Sequence, residues 1–158
     1  MALQDFFAEA PLIHMHDALG EFLGASDDGL VDFVYADAVR LAGHSCPTVA
    51  SAFLMARAGL RALYPAGPAE RGGVMVTMSG GEGEGTTGVI AQVFTLVTGA
   101  AADNGFHGIG GRFVRHGLLR YGGGDPDCIA VFRRLDSGDT VYLSLDLSTV
   151  PAAPEMRE

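Results

Sequence analysis

The chain has 158 residues, the size of one domain, and a formal net charge of −9, which excludes a broad nucleic-acid contact and adsorption to anionic membranes. Charged residues supply only 18% and mean hydropathy is +0.25, so burial of surface in a homodimer is expected. No apolar run reaches the roughly 18 residues of a membrane span, and two cysteines are too few for a disulfide framework, which leaves a reduced, cytoplasmic setting as the expectation.

Taken in chain order, residues 1–10 hold Asp5 and Glu9 but no basic residue, so they do not read as a signal peptide. Residues 3–8 read as a short helix and 11–16 as a strand. Asp17 stands where a helix N-cap belongs, ahead of helically spaced apolar residues in 18–23. A turn-rich loop over 24–29 leads to an alternating strand at 30–35. Ser45 can cap the next helix, and Pro47 suits its first turn. Val49, Phe53, Ala56, Leu60 and Leu63 form one apolar stripe, which predicts a long helix over 47–64, stopped by Pro65.

Beyond it, 74–78 reads as a strand and 80–88 as a loop rich in Gly and Glu. Residues 89–98 are apolar almost all round, which predicts a buried helix whose polar exceptions, Gln92 and Thr95, share a face. Residues 104–111 read as loop. Strands follow at 118–121, 128–135 and 140–147, the last two joined through Asp136-Ser137-Gly138-Asp139. The tail, 151–158, is expected to fray. Together these predict a single α+β domain over 1–158, with a mainly antiparallel sheet packed against a long helix and a buried helix.

Reactive chemistry concentrates at Gly43-His44-Ser45-Cys46-Pro47. A His and a Cys two apart offer one borderline and one soft donor to a single ion. The N-terminus of the coming helix favours thiolate over thiol, the form that either a metal ligand or a nucleophile requires. The plain alternative is a packed cysteine beside a histidine bonded to backbone. Four further features stand beside this one. His14 and His16 face the same side of a strand and can converge, or else are solvated. Residues 83–88 satisfy G-x-G-x-x-G, but Glu82 and Glu84 oppose a phosphate, so a mobile lid is the better expectation. Arg112, in a Gly-rich stretch, can grip a small anionic ligand or pair with an acid across an interface. Cys128 is expected in the core.

The run Leu41-Ala42-Gly43-His44-Ser45-Cys46-Pro47, entering a helix through Thr48-Val49-Ala50, resembles the His-Gly-His-x-Cys-Pro-Gly signature of the formylmethanofuran dehydrogenase E-subunit family. Val97-Thr98-Gly99 and the hairpin around Gly138 fall where that family would place them, so the likeness spans about 37–147. The resemblance implies an α+β core that dimerises and binds a transition metal, most readily zinc with nickel as the alternative, through His44 and Cys46. The family's first motif His is Ala42 here, Gln92 lies where a Cys and an Asp are usual, and Ala100 follows Gly99. No cysteine cluster appears in the tail, so the chain corresponds to the short, core-only form. His16, with His14 beside it, is the natural replacement donor. The function expected is metal binding, extending to a metal-dependent reaction if a small anionic or one-carbon substrate is held near Arg112. A non-catalytic accessory role and thiol redox chemistry at Cys46 are the alternatives.

Overall fold

The computed structural model describes residues 1–156. After a 3-10 turn at Asp5–Glu9, the elements are β1 (Ile13–His16), α1 (Ala18–Phe22), β2 (Leu30–Phe33), α2 (Tyr35–Ala42), α3 (Pro47–Leu63) and β3 (Ala69–Glu70), followed by β4 (Val74–Met78), α4 (Thr87–Thr98), β5 (Leu119–Tyr121), β6 (Ala130–Arg134) and β7 (Thr140–Leu143). The class is α+β, and the strands form two sheets, ordered β2-β1-β3 and β5-β4-β6-β7. Both sheets are mixed. β1 runs antiparallel to β2 but parallel to β3, and β4 runs antiparallel to β6 but parallel to β5. The expected single sheet is thus corrected in number, to two, while the pairing is mainly antiparallel as expected: β1–β2, β4–β6 and β6–β7 against the two parallel pairs. Parallel pairs join strands far apart in sequence, and hydropathy alternation within a strand carries no information about its partner.

The α3 stripe closes the core as its period requires: Val49, Phe53, Ala56, Leu60 and Leu63 are all buried. Gly59 lets this helix approach the second sheet, since a Cβ there would lie 2.9 Å from the Phe132 ring. Phe132 is itself wedged edge-on against Phe94 of α4, with ring centroids 5.0 Å apart. Helix α4 buries Ile90, Ala91, Val93, Phe94, Val97 and Thr98, while Val89 and Gln92 reach solvent. It is therefore amphipathic rather than buried all round, and a single chain covers its apolar side.

Three further expectations change. Residues 35–42 form a helix, so the strand that alternation extends to residue 35 ends sooner; Asp37 holds the helix start by accepting the Val34 N–H at 2.9 Å. Ser45 does not cap α3, because its hydroxyl lies 2.7 Å from the Tyr35 hydroxyl, and Cys46 takes the N-cap position instead. Cys128 lies partly exposed in the turn before β6 rather than in the core. In the tail, residues 154–156 form one 3-10 turn, and Arg157 and Glu158 lie outside the described residues. No described helix is long and apolar enough to cross a membrane.

Candidate functional site

Helix α2 ends on Gly43, whose φ of 80° supplies the left-handed turn that an L side chain rarely adopts. The chain is thereby swung through His44 and Ser45 into the first turn of α3. This junction exposes His44 and leaves Cys46 partly covered. His44 Nδ1 lies 3.1 Å from the Ala42 carbonyl oxygen. The neighbouring Cys46 sulfur raises the imidazole pKa, and the Ala42 carbonyl adds to it. Burial alone would push the Cys46 thiol up, but the Val49 and Thr48 N–H groups and the His44 ring outweigh it, and the net shift is down. No strict capping bond closes onto the sulfur, so these N–H groups act mainly as aligned dipoles. The result is a thiol drawn toward thiolate beside an imidazole drawn toward imidazolium.

His16, expected as a third donor, is not brought to this pair. Its Nδ1 lies 2.5 Å from Glu70 Oε2 and its Nε2 3.1 Å from Glu21 Oε2. Both ring nitrogens thus face carboxylates, an arrangement that fits the imidazolium and raises its pKa, chiefly through the bond to Glu70. The two carboxylates meet opposite edges of the ring, so the three groups cannot share one ion. His14 is occupied separately, with Nδ1 2.6 Å from Asp32 Oδ1. Among the described residues, no three His, Cys, Asp or Glu side chains form a group that could hold a metal ion. One chain therefore presents two donors at this junction, His44 and Cys46.

Arg112 is exposed, its guanidinium 4.6 Å from the Phe113 ring centroid and 5.9 Å from that of Phe22. It stacks on aromatic faces and lines none of three cavities found on the chain. The arginine that does enter the interior is Arg115, three residues on. Its Nη2 donates to Asp17 Oδ1 at 2.7 Å, while Arg71 Nη1 donates to Asp17 Oδ2 at 3.1 Å. Arg71 also donates to the Leu96 carbonyl through Nη2 at 2.9 Å, satisfying the last turn of α4. Asp17 caps α1 as the sequence indicates, accepting the Leu19 and Gly20 N–H groups. Burial acts to raise its pKa, but the Gly20 N–H and the two arginines prevail and lower it. The partners lie 54 and 98 residues away, a distance no local pattern can span.

A cavity of about 610 Å³ is bordered by Leu41 of α2, by Gly88, Gln92 and Thr95 of α4, and by Tyr121 of β5. The face shared by Gln92 and Thr95 therefore looks onto a hollow. β4 and β5 are parallel neighbours joined through α4, so residues 83–88 occupy a strand–loop–helix turn with a parallel return strand. Cavities at the carboxyl ends of such strands are common ligand sites. The loop still does not form a phosphate cradle, because Glu84 folds back to accept the Gly81 N–H at 2.9 Å and Glu82 borders the cavity. In comparisons with known protein families, curated proteins and solved structures, the chain finds no match.

Proposed function

We propose that the chain is a metal-binding protein of the kind found in the formylmethanofuran dehydrogenase E-subunit family, which takes a late transition metal, zinc before nickel, on Cys46 Sγ and His44. The observation that carries this reading is the placing of His44 and Cys46 two residues apart at the exposed entrance to α3, Cys46 at the N-cap position, with the thiol shifted down and the imidazole up. An ion arriving there displaces a proton and finds one soft and one borderline donor two residues apart. Zinc takes four ligands, so two positions remain. A second copy of the chain is our source for at least one of them, which makes the unit a homodimer with the site near its boundary. The exposed apolar side chain of Leu41, 45% accessible and just before the junction in sequence, suits such an interface. A site closed by four protein ligands would serve an accessory role. One that keeps a water position would supply Lewis-acid or water activation to a small anionic or one-carbon substrate. We assign that substrate to the cavity that Leu41 borders rather than to Arg112. Two free cysteines accord with a cytoplasmic setting.

A second reading rests on the same pair without metal: Cys46 as a nucleophilic or redox-active thiolate, with His44 as its proton partner. Elemental analysis separates the two. Protein prepared without a polyhistidine tag, exposed to Zn²⁺ and desalted, should retain about one ion per chain, and His44→Ala or Cys46→Ala should each release it. A wild type that retains neither Zn²⁺ nor Ni²⁺ supports the thiol reading instead.

A further inference from the structure

All ten basic residues of the chain are arginines, set against 19 acidic residues. Arg40, Arg71, Arg115 and Arg134 each meet a carboxylate. Among the described residues Arg112, Arg120 and Arg133 meet none and line none of the three cavities; equally without a carboxylate, although the surplus of acid makes counterions plentiful, are Arg57 and Arg61. They stand four apart on α3 and so share one face, where like charges repel. Both line a groove of about 1000 Å³ between the second half of α3, the approach to β1 and the turn that leads into β3. No Asp or Glu lines this groove, whereas the other two cavities contain Glu9 and Glu82.

The backbone fixes part of this arrangement. Arg57 Nε donates to the Leu12 carbonyl at 3.1 Å, which anchors the guanidinium at the groove wall and leaves both Nη groups for another acceptor. Arg61 is exposed. His14 lines the same groove, and the acid next to it, Asp32, is already held on its Nδ1. Pro11, Pro65, Pro68 and Tyr64 form stiff, largely apolar walls. The groove is thus a preformed hollow with two unspent guanidinium groups at one side and apolar surface at the other. Its size lies at the upper end of ordinary ligand sites, roughly 300–1000 Å³. We propose that it binds a small organic anion, a carboxylate or phosphate carried on an apolar body. Arg57 and Arg61 take the anionic group through paired N–H bonds, and Tyr64 with the prolines takes the body. This site belongs to the far half of α3 and stands independently of the metal reading at its N-terminus.

Nuclear magnetic resonance titration of the ¹⁵N-labelled chain tests it, with benzoate and phenyl phosphate as anionic probes and benzamide as the neutral counterpart. We expect saturable shifts at the Leu12, Arg57 and Arg61 amides with at least one anion and none with benzamide. The tighter of the two anions identifies the headgroup as carboxylate or phosphate. Arg61→Glu, an exposed substitution that spares the core, should weaken binding about tenfold or more, and Arg57→Gln should do the same. Three results would overturn the proposal: no saturable shift with either anion up to about 10 mM, equal binding of benzamide, or unchanged affinity in Arg61→Glu with an otherwise native spectrum.

Discussion

Cys46 and Cys128 differ in what surrounds the sulfur. Cys46 faces helix N–H groups and an imidazole, all of which favour the thiolate. The Cys128 thiol donates to the Asp125 carbonyl at 3.3 Å, a bond that only the protonated form can make. In metal-free protein we expect iodoacetamide to modify Cys46 faster than Cys128 near neutral pH, with sites assigned by mass spectrometry. The Cys46 rate should reach its plateau at a lower pH in the wild type than in His44→Ala. Equal rates at the two sulfurs, or a profile that ignores His44, would count against the ion-pair description. The sequence made the His44–Cys46 junction legible because both donors and the helix entrance lie within a few residues of one another. It could not disclose that His16 is claimed by Glu70, since that partner arrives through the β1–β3 pairing. The same limit hid the second task of Asp17, whose side chain serves both the local cap and two distant arginines. Asp17→Ala should therefore cost more than a lost cap, about 3–5 kcal/mol, because it strands two largely buried guanidinium groups. Urea unfolding would measure it. A loss of only about 1 kcal/mol would mean the arginines find other partners. The carboxyl is depressed, so its stabilisation is complete above the usual Asp range and fades as pH falls through the lower folded value.

Among the elements, α3 was the most legible because a 3.6-residue stripe over 17 residues leaves little ambiguity. Helix α2 was harder. Its buried residues Tyr35, Ala38 and Val39 follow helical spacing, but eight residues directly after a strand blur the change of period. The two-residue β3 and the parallel pairings were illegible, as neither leaves a local mark. Gly59 carries a message that spacing alone conceals, since it is the point where α3 meets the sheet. In an exposed helix Gly→Ala would stabilise by about 1 kcal/mol through propensity. Here the added methyl meets the fully buried Phe132 ring at 2.9 Å, and Phe94 blocks its retreat. Gly59→Ala should thus destabilise by about 1–3 kcal/mol net, read as a lower midpoint in urea with an unchanged slope. A variant as stable as the wild type would show the contact to be slack.

At the scale of the whole molecule, low charge and an apolar second helix suggest a dimer from the sequence. One chain covers the apolar side of α4 by itself, so that part of the reasoning lapses. What remains is narrower: two donors at an exposed junction, the exposed Leu41 just before them, and a proposed zinc ion that would need more ligands than one chain gathers there. Light scattering at low micromolar concentration should give twice the 16.4 kDa of one chain. A stable single-chain species that keeps its metal would remove the second copy from the site while leaving the two donors in place. The central claim is that these donors bind the ion, and X-ray absorption at the zinc edge tests it most directly. Zinc-loaded protein should show a Zn–S shell at about 2.3 Å and a Zn–N shell at about 2.0–2.1 Å, with the sulfur shell lost in Cys46→Ser. A first shell of oxygen and nitrogen alone in the wild type would contradict the assignment of Cys46.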